Sequence, residues 1–368
     1  MSRVISGELY RTDRDGVILG NLSAAVKSGS IEYSADRSGG TALLGRFVLD
    51  RADALAPLQD FVSPFLVLKD ELGHTTRTRL GIFRVSIPSE VHSPNQAEPS
   101  YELRDLTELL ARGASKDPYV IAAGTTFVSA LSAVAGLVGI TRLALPNSSR
   151  VTGYKRTYPA GTSYLEIMNR LCEAVAWYPV WMGLDGKLTT KPQQKLSEST
   201  PIGTISSADP AEVGGGAPVV NVVATDPAAV ANMVVVTRDR GDGDLLEAIR
   251  VNDDPASETS VPRIGPAIFG GGPYEASDAE TQADVDAIAD RLLDQCRSYE
   301  RQVTLKVEPN PGWLGMWRTI ELQIATAAGA NLRGRYWISG WSQGFTPGEA
   351  LTGFTLNRWV RFGRGEDR

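Results

Sequence analysis

Histidine is nearly absent from this chain: His74 and His92 are the only two in 368 residues. Both stand in polar, turn-like stretches with no partner pattern beside them, so neither reads as a general base or a metal ligand. Cysteine is as scarce, with Cys172 and Cys296 alone. Two thiols cannot make a disulfide-stapled secreted scaffold, and both lie on apolar faces of expected helices, where cysteine behaves as a small hydrophobe. No cluster of His and Cys has metal-ligand spacing. No Gly-Lys-Ser/Thr phosphate loop and no strand-following Gly-x-Gly-x-x-Gly is present. No apolar run approaches the roughly 18 residues that cross a bilayer. The start, Met1-Ser-Arg-Val-Ile-Ser-Gly-Glu, lacks the apolar core of a signal peptide, so folding in the cytoplasm is expected.

The composition is that of a folded globular protein, 42% hydrophobic and 22% charged, long enough for two to four domains. A formal charge of −6 disfavours general nucleic-acid binding. That charge is uneven. Residues 201–300 hold 18 acidic and 6 basic side chains, residues 301–368 hold 9 basic and 5 acidic, and the first 200 are left at +2. Such a distribution suits subunits that meet through unlike faces, and equally suits a solvated acidic surface.

The most legible stretch runs from Tyr101 to Pro192. Phe127, Leu131, Val134 and Val138 share one helical face within Thr125–Ile140, and Tyr164, Ile167, Met168, Leu171, Cys172 and Val175 share another within Thr162–Trp177. Ser163 with Glu166 is a capping box for the second helix. Asp185-Gly186 between apolar runs predicts a two-residue hairpin. Upstream, residues 1–120 read as strands and turns punctuated by Pro57, Pro64, Pro88, Pro94 and Pro99, with a short helix at 105–111. The Ser/Gly/Pro/Ala-rich span 201–230 reads as a linker. Strands resume at Asn232, a Pro/Gly loop covers 252–274, and a helix is expected over 277–299. Ser277 and Glu280 would cap that helix, and Val285, Ile288, Ala289, Leu292, Leu293, Cys296 and Tyr299 form its stripe. Further strands close the chain. The expected class is α+β, predominantly β: a β-barrel domain at 1–118, an inserted helix–helix–hairpin module at 119–200, and a second β-barrel domain at 231–368.

Candidate chemistry is thin. Asp239-Arg-Gly-Asp-Gly-Asp begins like a calcium loop, but position 12 is Arg250 where a bidentate Glu is required. Arg240-Gly241-Asp242 is a chance match to an adhesion tripeptide. Asp284, Asp286, Asp290 and Asp294 read as a solvated helix face rather than paired catalytic carboxylates. Seven tryptophans, five between Trp313 and Trp359, read as core or interface anchors, with a carbohydrate-binding face as the rival. Catalytic, cofactor and metal residues are therefore expected to be none.

The order of motifs nevertheless resembles one family, the hub proteins of bacteriophage tails and of related contractile injection systems. The matching segments are the hairpin Ile31 to Asp50, Gly81-Ile-Phe-Arg-Val, the Arg-Asp-Leu step within Leu103 to Leu110, and Tyr119-Val-Ile-Ala-Ala-Gly-Thr. Val134-Ala-Gly-Leu-Val-Gly-Ile, Tyr158 to Ala174, Leu184-Asp-Gly-Lys-Leu, Asn232-Met-Val-Val-Val-Thr and the helix from Gln282 to Leu293 complete the series. The resemblance implies two tail-tube-like β-barrels with smaller peripheral α+β domains inserted. Three copies would form a ring of pseudo-sixfold symmetry that continues the DNA channel. It implies a non-enzymatic virion protein at the tail tip or baseplate, synthesised in the host cytoplasm. Its partners would be itself, a tail-tube or distal-tail protein, a tip, spike or fibre protein, and the tape measure protein. Cell-wall hydrolysis is not expected, because the chain stops at Arg368 without a further peptidase or lysozyme domain. Two rivals remain at this point: a receptor- or carbohydrate-binding tail protein resting on the aromatics from Trp313 to Trp359 and the Pro/Gly loop 252–274, and a hydrolase resting on the acidic segment.

Overall fold

Strand formation begins where the sequence alternates. The computed structural model describes residues 4–35, 42–50, 55–69, 72–86, 89–93, 96–194, 196–207, 220–225, 231–239, 245–257, 259–276, 279, 281–296, 298–325, 331–345 and 351–361. The first unit holds β1 (Val4–Thr12), β2 (Ile18–Asn21), β3 (Val26–Ser34), β4 (Leu43–Leu49), β5 (Phe61–Lys69), β6 (Thr75–Arg79), β7 (Phe83–Val85), β8 (Ser89–Ser93) and β9 (Gln96–Asp105). Asp13 starts the β1–β2 turn by accepting the Val17 N–H at 2.8 Å. Gly16 takes φ +80° in that turn, a conformation that costs a residue with a Cβ far more. Asp105 ends β9 fully buried, and its carboxylate explains the Arg-Asp-Leu step. It accepts the N–H groups of Leu43 at 2.8 Å, Ala42 at 3.3 Å and Thr107 at 2.8 Å, and the Thr107 hydroxyl as well. One side chain thus fastens the end of β9 to the start of β4 and caps the next helix.

That helix is α1 (Thr107–Arg112), followed by β10 (Tyr119–Ile121), α2 (Phe127–Leu137), β11 (Leu143–Ala144), β12 (Arg156–Tyr158), α3 (Tyr164–Ala174), β13 (Trp181–Met182) and β14 (Leu188–Thr189). Thr126 and Ser163 cap α2 and α3, accepting the N–H groups of Ser129 at 3.1 Å and Glu166 at 3.2 Å. Glu166 does not reach back; it pairs with Arg170 at 2.7 Å one turn on. Phe127, Leu131 and Val134 meet Ile167, Met168, Leu171 and Cys172 in a separate hydrophobic core, which α1 enters through Leu106 and Leu110. That core therefore begins ahead of residue 119. The hairpin is longer than two residues: Trp181 pairs with Thr189 and Met182 with Leu188, leaving 183–187 as the loop. Asp185 accepts the Lys187 N–H and Gly183 donates to Lys187 O, so the Asx turn and Gly186 at φ +76° set a wider closure.

The remaining elements are β15 (Thr204–Ser206), β16 (Val220–Thr225), β17 (Met233–Asp239), β18 (Leu245–Val251), α4 (Val261–Ile264), β19 (Tyr274–Glu275), α5 (Gln282–Cys296), β20 (Ser298–Val307), β21 (Thr319–Ala325), β22 (Asn331–Gly344) and β23 (Thr352–Arg361). Two expectations are corrected in this stretch. The span 201–230 is not only a linker: β15 pairs with β21 and β16 pairs with β20, so backbone hydrogen bonding outweighs a turn-rich composition. The long helix is shorter than 277–299. Thr281 and Asp284 cap it reciprocally, Thr281 Oγ1 accepting the Asp284 N–H at 3.2 Å and Asp284 accepting the Thr281 N–H at 3.0 Å. Ser277 and Glu280 lie outside the described residues. At the other end Tyr299 belongs to β20, opposite Val360, because edge pairing claims the backbone after Cys296. The loop 252–274 is held by two buried asparagines. Buried Asn232 donates to Gly265 O at 2.7 Å and accepts the Ala267 N–H at 2.8 Å, and buried Asn252 donates to Ser257 and Thr259.

The main sheet runs β16-β20-β23-β22-β3-β4-β9-β7-β5-β1-β2, with β15 and β21, β6, and β8 joined off that path. A repeat is visible in it. The series β3, β4, β9, β7 with β8, β5 matches the series β16, β20, β23, β22, β21, and every neighbouring pair in both is antiparallel. The units differ after their first strand. β3 turns straight into β4, whereas β17, β18, β19, α4 and α5 stand between β16 and β20. The units are joined where β22 pairs with β3, Gly340 opposite Ser34 through Gly344 opposite Ser30. A single hydrophobic core crosses that joint, from Leu9, Tyr33 and Phe83 to Trp341, Leu356 and Ile320. The fold is α+β and predominantly β, with two small peripheral modules, one helical and one built by α5 against the β18-β17-β19 sheet.

Candidate functional site

The residues singled out for chemistry do not converge. His74 is exposed between β5 and β6, and His92 lies on β8 with its side chain outside the description. Asp239 ends β17, and Arg240-Gly241-Asp242 falls outside the described residues. Among the described residues no three His, Cys, Asp or Glu side chains gather where a metal ion could sit. No described helix is long and apolar enough to cross a membrane. Cys172 is buried in the helical core and Cys296 is half-buried at the end of α5, and the two are not joined to each other.

The acidic face of α5 is used, though for structure. Arg250 on β18 donates to Asp290 at 2.6 Å and to Asp286 at 2.9 Å, which pushes the guanidinium pKa up. Asp284 pairs with Arg150 of the helical module at 3.0 Å. The same seam holds Tyr274 donating to Glu173 at 3.2 Å, Arg291 donating to Gln193 at 3.1 Å, and the Arg238 guanidinium 5.2 Å from the Tyr154 ring centre. A cleft of about 490 Å³ lies along it between α3 and α5, lined by Glu166, Arg170, Glu173 and Arg291. Glu173 and Arg291 make two of these contacts while Glu166 pairs with Arg170 within α3, and the seam is polar, as contacts between small domains are.

Two of the tryptophans between Trp313 and Trp359 are core residues. Trp341 is 2% exposed and Trp313 is buried beside it in the main core. Trp317, at φ +53°, stacks on Tyr178 with ring centres 4.5 Å apart, and Lys191 donates to Trp317 O at 2.6 Å. This stack clamps the helical module to the second β unit. Burial lowers the Lys191 pKa and raises that of Tyr178.

What the surface does offer is open strand edges and apolar faces. Ile18 and Leu19 of β2, with Val17 before them, are each at least half exposed at one end of the sheet. On β18, Leu245, Ile249 and Val251 alternate outward while Ala248 faces α5, so the three-stranded sheet is covered on one face only. Among the described residues, β16 pairs on one side only, with β20, and β8 on one side only, with β9. Such edges are templates for another chain. From sequence β16 falls inside a linker; its run Val220-Asn-Val-Val-Ala-Thr was the signal available.

Architecture of this kind, two like β units in one sheet with small modules at the periphery, defines a class that comparison can test. No family model matches the chain, and no curated protein matches it. Solved structures do. The tail protein from Neisseria meningitidis MC58 superposes with a TM-score of 0.65 at 13% identity, covering 96% of each chain. The 43 kDa tail protein of prophage MuSo2 from Shewanella oneidensis gives 0.63 at 11% identity, covering 97% of this chain and 98% of that one. A chain of the lidded Francisella PdpA-VgrG complex gives 0.55 at 10% identity, covering 98% of this chain and 55% of that one. The chain therefore has the fold of phage tail proteins over 96–97% of its length, the fold that the motif order implied.

Proposed function

We propose that this chain is a structural, non-enzymatic hub of a phage-type tail: a homotrimer that joins the tail tube or distal tail to the tip or spike and continues the DNA channel. The observation that carries this reading is the repeated β unit fused through β22 and β3 into one sheet, in a fold shared end to end with tail proteins. Two units per chain let three copies present six similar faces to a hexameric tube, and a different, threefold face to a tip. The net charge of −6 suits a channel that lets DNA pass without holding its phosphates. The partners are a second and third copy, a tube or distal-tail protein, a tip, spike or fibre protein, and the tape measure protein, in the virion. Burial of Trp313 and Trp341 takes two of the five tryptophans between Trp313 and Trp359 out of reach of a carbohydrate ligand.

The test is co-purification with the tube and distal-tail proteins encoded beside it. The expected result is a stable complex in which electron microscopy shows a ring with a central channel. Absence of affinity for every neighbouring tail protein overturns the reading.

A further inference from the structure

Two edges of this sheet are left open in positions that the chain itself shows how to fill. In the second unit β22 runs beside β23. The first half of its outer edge, Asn331 to Trp337, pairs with β21, and the second half, Gly340 to Gly344, pairs with β3. The partner changes at an irregularity between Ile338 and Gly340. In the first unit β7 and β8 run beside β9 as one interrupted strand. β7 pairs outward with β5, as β22 does with β21, and Ser86 holds the interruption through Glu102. β8 then pairs with β9 as far as Ser93 opposite Gln96, and its outer edge has no partner among the described residues. Its counterpart in the second unit, Gly340 to Gly344, is the segment that β3 covers.

The strand that would cover β8 is defined by the same repeat. β3 is the first strand of its series, and the first strand of the other series is β16. β3 uses one edge for β4 and the other for β22. β16 uses one edge for β20, and its other edge has no partner among the described residues. Within one chain β8 and β16 stand at separated places in the sheet, β8 off β9 and β16 at its end. We infer that β16 of one copy pairs antiparallel with β8 of the next, repeating between chains the joint that β3 and β22 make within one. This deepens the hub reading and rests on it. An interface between two different edges is heterologous, and it closes into a ring when the rotation between copies divides a full turn. Chemistry agrees. Edge strands that must stay single carry charges or proline; β6, which among the described residues pairs only with β5, carries Arg77 and Arg79. β16, Val220-Asn-Val-Val-Ala-Thr, carries neither, and β8, Ser89-Glu-Val-His-Ser, carries one charge, Glu90. The exposed β2 edge has no counterpart whose pairing shows what would cover it.

The experiment is disulfide trapping in the full chain carrying Cys296→Ser. Val91→Cys and His92→Cys place a thiol on either face of β8, and Val222→Cys and Val223→Cys do so on β16. The four double variants are oxidised mildly, with unchanged far-ultraviolet circular dichroism as the folding control. Facing residues on neighbouring antiparallel strands lie within disulfide reach. At least one double variant is expected to give a covalent species at three times the 39.5 kDa chain, lost on reduction, with no larger product and none from the single variants. A second readout needs no substitution: backbone amides of β8 and β16 become protected from exchange together as the oligomer forms. Trapping by a single variant, or a trimer in which no double variant traps and neither strand gains protection, overturns the inference while leaving the hub reading to the co-purification test. A chain that stays monomeric overturns the inference as well.

Discussion

In the second β unit the outer edge of β22 is covered by β3, and Trp341, at that joint, is among the largest fully buried side chains. In the first unit the equivalent edge, on β8, is open among the described residues. The same strand order thus gives a closed joint once and an open joint once. The difference teaches that one strand order can leave the same edge covered in one unit and open in the other. Local sequence decides where strands form. Which edges remain for another chain is decided by how many units one chain carries.

Breaking the closed joint has the largest expected effect. Trp341→Ala leaves a cavity across both units and costs about 3–5 kcal/mol, read as a drop in urea midpoint with unchanged slope. Next is the buried carboxylate at the end of β9. Asp105→Ala strands three buried N–H groups and a hydroxyl, at a cost of roughly 3 kcal/mol, with hydrogen exchange accelerated in β4 and α1. If that loss leaves the second unit protected, the two units unfold separately and the single core overstates their coupling. The peripheral module gives a smaller change: Asn232→Ala frees Gly265 O and the Ala267 N–H at a cost of about 1–3 kcal/mol, read as faster exchange across 259–268. Smallest is the exposed clasp. Arg250→Met should cost at most about 1 kcal/mol and less in high salt, because Asp286 and Asp290 are largely solvated; unequal losses at low and high salt measure the pair.

The legible parts were those whose stabilising contacts are close in sequence. α2 and α3 announced themselves because Phe127, Leu131 and Val134, and Ile167, Met168 and Leu171, repeat at helical spacing and each helix has its own cap. α5 was visible from the Val285–Leu293 stripe, but its start was displaced by one turn, because two capping boxes stand in sequence and Thr281 with Asp284 makes the bonds. β16 was hidden, since its stability comes from β20, far along the chain, and its surroundings are rich in turn residues. The loop 252–274 was legible as long and Pro/Gly-rich, yet the buried asparagines that pin it, Asn232 and Asn252, look like ordinary polar residues in a row of letters. The open edges were the least legible of all. A β-branched run shows that a strand forms, not which of its two edges is left for a partner.

The most direct test of the repeated-unit account is the mass of the purified chain in solution, by light scattering or native mass spectrometry across a range of concentrations. The account predicts a species near three times 39.5 kDa. A chain that remains at 39.5 kDa at the highest concentration, with β8 and β16 amides exchanging freely, would contradict it.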